Sequence, residues 1–224
     1  MKTVLENLID AEEKALVLFQ EIENRGLIIS GKSENELNRE IFALANELFG
    51  IEKYWHKRIV RSGSNTLLPY RENPPDLILQ DDDILFFDFG PVFEDWEADF
   101  GRTYVIGNDP FKKKMCQDIE AAWYEAKSWF LAQHELTGAM FFDYAVQLAE
   151  KYGWEFGGPI AGHIIGQFPH EKLETENFNN YIHPENYKLM SLPDEHNAHR
   201  HWILEIHFVD RKKQIGGFFE QLLC

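Results

Sequence analysis

DILFFDFGPVFEDWEADFGRTYVIG, residues 83–107, decides the fold. Over 84–90 the side chains alternate, so Leu85, Phe87 and Phe89 share one face of a strand and Ile84, Phe86 and Asp88 the other. Residues 99–107 read as a second strand, opened by Asp99, and PVFEDWEA joins the two into an antiparallel pair. Asp88 is the anomaly. The plain reading is an acid on a solvated face, but Ile84 and Phe86 flank it, and a solvated face is rarely so apolar. A buried carboxylate is costly unless something neutralises it.

The same anomaly recurs downstream. In HWILEIHFV, residues 201–209, Leu204, Ile206 and Phe208 share one face, and Ile203, Glu205, His207 and Val209 the other. Glu220 lies inside a last predicted strand, 215–223 (IGGFFEQLL), and His163 inside a Gly- and Pro-punctuated strand-plus-loop segment, 157–170 (GGPIAGHIIGQFPH). Asp88, Asp99, His163, Glu205 and Glu220 are therefore read as one metal site. Four carboxylates balance two divalent cations. Oxygen donors with one imidazole suit Mn²⁺, Fe²⁺, Co²⁺ or Zn²⁺. Two such ions sharing carboxylates can generate a hydroxide nucleophile near neutral pH.

Helices are expected over 3–25, with Gly26 as a stop, and over 34–49, opened by a Ser33–Glu36 capping box and ended by Gly50. Two more are expected over 110–134, after Asn108-Asp109-Pro110, and over 139–152. Residues 51–82 are a mixed segment punctuated by Pro69, Pro74 and Pro75, and 171–200 are polar and irregular. Helices, hairpin, helices, then strands predict an α+β class in one domain spanning 1–224.

Composition bounds the function. Hydrophobic residues make up 44% of 224, with 18 Phe and 6 Trp, enough for a sizeable core. A net charge of −16 argues against a nucleic-acid partner and an anionic membrane surface. Two cysteines, Cys116 and Cys224, form no disulfide framework, and acids interrupt the N-terminal apolar stretch. No apolar run approaches the roughly 20 residues of a membrane span. A cytoplasmic protein is expected.

Taken together the motifs resemble the pita-bread metallopeptidase family, which includes methionine aminopeptidase, prolidase, aminopeptidase P and creatinase. FFDFG (86–90) resembles its aspartate strand, and DFGRTYVIG (99–107) its D-x-x-R-T-x-x-x-G motif, with eleven positions separating Asp88 from Asp99. GHIIGQFPHE (162–171) resembles its G-H-x-x-G-x-x-x-H-E element; ILEIHF (203–208) and GGFFEQLL (216–223) stand where its glutamate strands would be, and SGKSENEL (30–37) resembles its early helix start. The resemblance implies a curved antiparallel sheet covered by helices and a dinuclear hydrolase acting on a peptide or amide carbonyl, as an aminopeptidase or Xaa-Pro peptidase. It implies that Asp88 chelates one metal, that Asp99 and Glu220 bridge both, and that His163 and Glu205 bind the other. A hydroxide between the metals would attack the carbonyl. His170 would stabilise the oxyanion, and Glu205 would shuttle the proton.

Several features stand outside that pattern. Tyr70, in SNTLLPYREN (64–73), falls where the peptidases carry a substrate-contacting histidine. His56, the nearest histidine, is placed on a helix or at its end; a structural role is preferred to that of a substitute. His207 shares the Glu205 face and is weighed as a substrate or metal contact against a plain hydrogen-bonded core histidine. Arg102 is expected in a structural salt bridge. The loop DEHNAHRH (194–201), with His196, His199 and His201, is read as a solvated surface loop, with metal entry or a lid as the alternative. A single catalytic domain without the extra N-terminal domain of prolidases is expected, with a homodimer as a candidate source of the substrate wall. Two rival functions stay open: chemistry on a non-peptide small amide or guanidino compound, and a binding module that has lost catalysis.

Overall fold

The computed structural model describes residues 2–170, 178–194 and 197–224. Local chemistry sets its helices. In α1 (Val4–Asn24), Thr3 and Glu6 form a capping box, and Ser33 and Glu36 form another in α2 (Glu34–Phe49). Gly50 ends α2 in the left-handed region, at φ 66°. Asp109 caps α3 (Pro110–Leu131), and Thr137 caps α4 (Gly138–Tyr152).

The segment 51–82, unassigned from sequence, contains β1 (Ile59–Ser62) and a short 3-10 turn over Gly63–Leu67. Glu34, buried in the first turn of α2, pins this segment. Its carboxylate accepts from Ser62 N (2.6 Å), Ser62 Oγ (3.1 Å), Asn65 Nδ2 (2.9 Å) and Leu77 N (3.3 Å). Then come β2 (Ile84–Phe89) and β5 (Phe100–Val105), the predicted antiparallel pair. Their connection is itself a small hairpin, β3 (Val92–Phe93) and β4 (Trp96–Glu97), turning through Glu94 and Asp95, both at positive φ as a two-residue hairpin turn requires. The remaining strands are β6 (Glu155–Phe156), β7 (Gly162–Ile165), β8 (His201–Asp210) and β9 (Ile215–Leu223).

Among the described residues, seven strands form one sheet in the order β1-β2-β5-β9-β8-β6, with β7 also paired to β8, and each of these pairings is antiparallel. One face is the hydrophobic core. Leu85, Phe87, Phe89 and Phe100 pack with α1 and α2; Leu204, Ile206, Phe208 and Phe219 pack with α3 and α4. On the opposite face the register draws one row across four strands: Asp88 opposite Gly101, Gly101 opposite Glu220, and Glu220 opposite Glu205. Gly101 is the low point of that row. A Cβ there would stand 2.6 Å from the Phe218 ring and 3.0 Å from Glu220 Cβ.

Two predictions follow from these contacts. Gly101→Ala overpacks the row and should cost about 1–3 kcal/mol, read as a lower urea midpoint with unchanged m-value. The second concerns Glu12 of α1, which accepts a hydrogen bond from Leu222 N and whose pKa burial pushes up to about 7. Because its folded pKa lies above the unfolded value of 4.5, its contribution is full below about 4.5 and is lost as pH rises through about 7. Glu12→Gln should therefore remove a decline in the urea midpoint between those pH values; an unchanged pH profile would refute the assignment.

Candidate metal centre

The row of carboxylates is completed from both sides. Asp99 precedes β5 two residues before Gly101 and so shares its face, and His163 of β7 sits opposite Ile203 of β8. Asp88, Asp99, His163 and Glu220 are all buried, at 7%, 3%, 6% and 1% exposure, while Glu205 keeps partial access to solvent. The structure thus brings together all five residues singled out in the sequence.

It adds a sixth that sequence reasoning set aside. His56 lies in a bend before β1, not on a helix, and its side chain is 7% exposed. Its Nε2 stands 3.0 Å from Asp99 Oδ1 and 3.5 Å from Asp88 Oδ1. The other Asp99 oxygen, Oδ2, stands 3.1 Å from His163 Nε2. Each ring is held by its far nitrogen: His56 Nδ1 to the Lys57 carbonyl and His163 Nδ1 to the Ile164 carbonyl, both at 2.8 Å. A carbonyl only accepts, so each Nδ1 carries a hydrogen and each Nε2 faces the carboxylates. Donor atoms fall into two sets, each within 4.8 Å: His56, Asp88 and Asp99, then Asp99, His163 and Glu220. Glu205 adjoins the second set through a hydrogen bond to Glu220.

The electrostatics show how much positive charge the cluster lacks. Burial, together with the charges of Asp99, Asp88 and Glu205, raises Glu220 well above the usual carboxylate range. Burial likewise lifts Asp88 to about 6, against the pull of His56, and Glu205 to about 7, against that of His163. Asp99 goes the other way: burial opposes its charge, but His56 and His163 outweigh it and hold Asp99 at about 2. For His56, burial disfavours the imidazolium, yet Asp99 and Asp88 carry its pKa up to about 9. Glu220 Oε2 is buried without a hydrogen-bond partner among the described residues. Crowded carboxylates, an orphaned buried oxygen and two imidazoles aimed at them fit divalent cations.

Around the cluster, His170 is fixed by Glu97 of β4, which accepts from its backbone N–H (3.2 Å) and meets its Nδ1. His170 Nε2 is buried and has no partner among the described residues. Trp55 stands amid three imidazoles, its ring centroid 4.3 Å from that of His56 and 5.3 Å from those of His163 and His170. The Tyr70 ring lies 5.7 Å from that of His56, and its hydroxyl accepts from Lys57 N at 3.3 Å.

One expectation is corrected and one open alternative narrows. His207, weighed as a substrate or metal contact against a hydrogen-bonded core histidine, faces the same way as Glu205 and has the surroundings of a core histidine. Its Nε2 meets the Thr66 carbonyl at 2.7 Å, it packs against Phe86 and Phe218, and burial depresses its pKa to about 4. Arg102, expected in a salt bridge, lies between the Phe100 and Phe219 rings and donates to the carbonyls of Gly101 (2.7 Å) and Glu220 (2.9 Å) and to Gln221 Oε1. In the His-rich loop, His196 is outside the described residues; His199 is exposed, and its ring lies 5.1 Å from that of His201.

The profile of metallopeptidase family M24 matches residues 6–194. An Xaa-Pro dipeptidase from Pyrococcus horikoshii is 27% identical over 147 residues, 64% of this chain and 40% of that protein. The crystal structure of an X-Pro aminopeptidase from Thermotoga maritima superposes with a TM-score of 0.76 at 24% identity, over 96% of this chain and 56% of that one. A methionine aminopeptidase from Rickettsia prowazekii superposes with a TM-score of 0.71 at 16% identity, over 99% and 95%. The chain therefore spans 40% of its curated relative and just over half of the X-Pro aminopeptidase. These superpositions establish the pita-bread fold. The profile stops before Glu205 and Glu220, and the β8–β9 register carries those two into the same row. With its fold and most of its length matched, the chain belongs to metallopeptidase family M24.

Proposed function

We propose that this chain holds two divalent cations and hydrolyses a peptide or peptide-like amide bond, with aminopeptidase or Xaa-Pro substrates the first choice. The observation that carries the proposal is Asp99, a buried carboxylate whose two oxygens meet imidazole Nε2 atoms at 3.0 and 3.1 Å. Such a carboxylate is disposed to be shared between two cations. Asp88 would serve one ion, His163 and Glu205 the other, and Asp99 and Glu220 both. Mn²⁺, Co²⁺, Fe²⁺ and Zn²⁺ all suit this donor set, and cellular supply decides among them. When bound, such a pair of cations polarises a carbonyl and lowers the pKa of water.

The surrounding residues have separate tasks. Glu205 keeps partial access to solvent at the end of the carboxylate row, which suits it to accept a proton and pass it to the leaving amine. His170, its Nδ1 engaged by Glu97, has no partner at Nε2 among the described residues; carrying a hydrogen there as well, it would donate to the negative charge developing on the carbonyl oxygen. Tyr70, 45% exposed beside His56, would contact substrate. The name of the Pyrococcus horikoshii relative supports an Xaa-Pro substrate. Tyr70 in place of an imidazole favours a second reading, a non-peptide small amide or guanidino compound.

Elemental analysis after reconstitution should give two metals per chain; fewer than one would refute the dinuclear centre. A screen of Met-Ala peptides, Xaa-Pro dipeptides, Xaa-Pro-Yaa tripeptides and small amides should then find turnover, and none at all would leave a binding module. Asp99→Asn and Glu220→Gln should lower kcat/KM by more than the roughly 10–100-fold that outer-sphere substitutions cost. Full metal content and activity in both variants would overturn the bridging roles.

A further inference from the structure

We propose that His56 is a metal ligand, binding through Nε2 the ion held by Asp88 and Asp99, so that each ion of the proposed centre carries one imidazole. The inference rests on the dinuclear reading but not on any choice of substrate.

Three observations support it. The first is symmetry about Asp99: His56 Nε2 faces Oδ1 at 3.0 Å as His163 Nε2 faces Oδ2 at 3.1 Å, and His56, Asp88 and Asp99 form a three-donor set of their own. The second is the far nitrogen. His56 Nδ1 is tied to the Lys57 carbonyl at 2.8 Å, the arrangement that orients a metal-bound histidine and fixes its tautomer. A neutral ring so tied turns a lone pair toward two carboxylates, which is unfavourable unless a cation lies between them.

The third is a cradle built for this side chain. A Cβ on Gly90 would lie 2.2 Å from His56 Cδ2, 2.4 Å from His56 Nε2 and 2.4 Å from Trp55 Nε1. Only glycine at the end of the β2 strand admits Trp55 and His56. Trp55 then locks the approach: its backbone N–H donates to the Gly90 carbonyl (2.9 Å) and its Nε1 to the Ala98 carbonyl (3.0 Å), next to Asp99. The bend carrying His56 is thus anchored to the backbone on either side of the hairpin that supplies Asp88 and Asp99. An imidazole also adds a donor without adding negative charge to a site whose four carboxylates already balance two dications.

The competing role for His56 is a fixed imidazolium that replaces one ion, and a Co²⁺ titration separates the two. The wild-type protein should bind two equivalents and show two strongly shifted, exchangeable imidazole N–H signals in the proton NMR spectrum, from His56 and His163. His56→Ala should lose one signal and bind the second equivalent at least about tenfold more weakly. Gly90→Ala keeps every donor in the sequence but fills the cradle, so it should have the same effect and serves if His56→Ala does not fold. Two equivalents at unchanged affinity in both variants would overturn the inference. So would a wild-type protein that binds one equivalent with the His56 ring unshifted. A wild-type protein that binds no Co²⁺ would instead overturn the dinuclear reading beneath it.

Discussion

Four carboxylates share one face of a single sheet, and their mutual repulsion is the constraint around which the rest is arranged. In a low-dielectric interior each buried charge costs several kcal/mol unless it is compensated. The compensation is visible in the backbone as well as the side chains. Gly101 gives up its side chain so that Asp88, Asp99 and Glu220 can converge. Two imidazoles turn their Nε2 atoms inward because backbone carbonyls hold their Nδ1 atoms. On the other face, Arg102 lies between Phe100 and Phe219 and grips the Glu220 carbonyl, bracing the strand that carries Glu220.

Much of this was legible in the sequence because strands have a period of two. A single acid among phenylalanines, as in ILFFDF, reports both the strand and the unusual face. The capped helices were equally plain, since Ser33 with Glu36 and Asp109 with Pro110 are local signals. Contacts set by tertiary approach were not. His56 sits in a bend without periodicity, and its arrival depends on a missing Cβ at Gly90, thirty-four residues away. The pairing of Glu97 with His170 spans a longer gap still, seventy-three residues. His207 was correctly placed on the ligand face by alternation, but alternation cannot show that the Thr66 carbonyl reaches its ring.

The histidines illustrate how one residue type takes different jobs from its surroundings. His207 meets a carbonyl and two aromatic rings and is kept neutral by burial. His56 and His163 meet carboxylates and are drawn toward positive charge or a cation. His170 is bound to a carboxylate at one nitrogen and has no partner at the other among the described residues. Trp55 makes edge contacts with all of the last three rings.

The row from Asp88 to Glu205 has a consequence for assembly of the sheet. Its members owe their common face to backbone pairing alone, and a slip of one residue in any strand would turn that strand's acid into the helix-packed core. A misaligned sheet would therefore carry a misplaced charge in its apolar layer and an incomplete ligand set at once. The acids act as proofreaders of strand alignment: the feature that makes the site chemically useful also makes the wrong fold expensive.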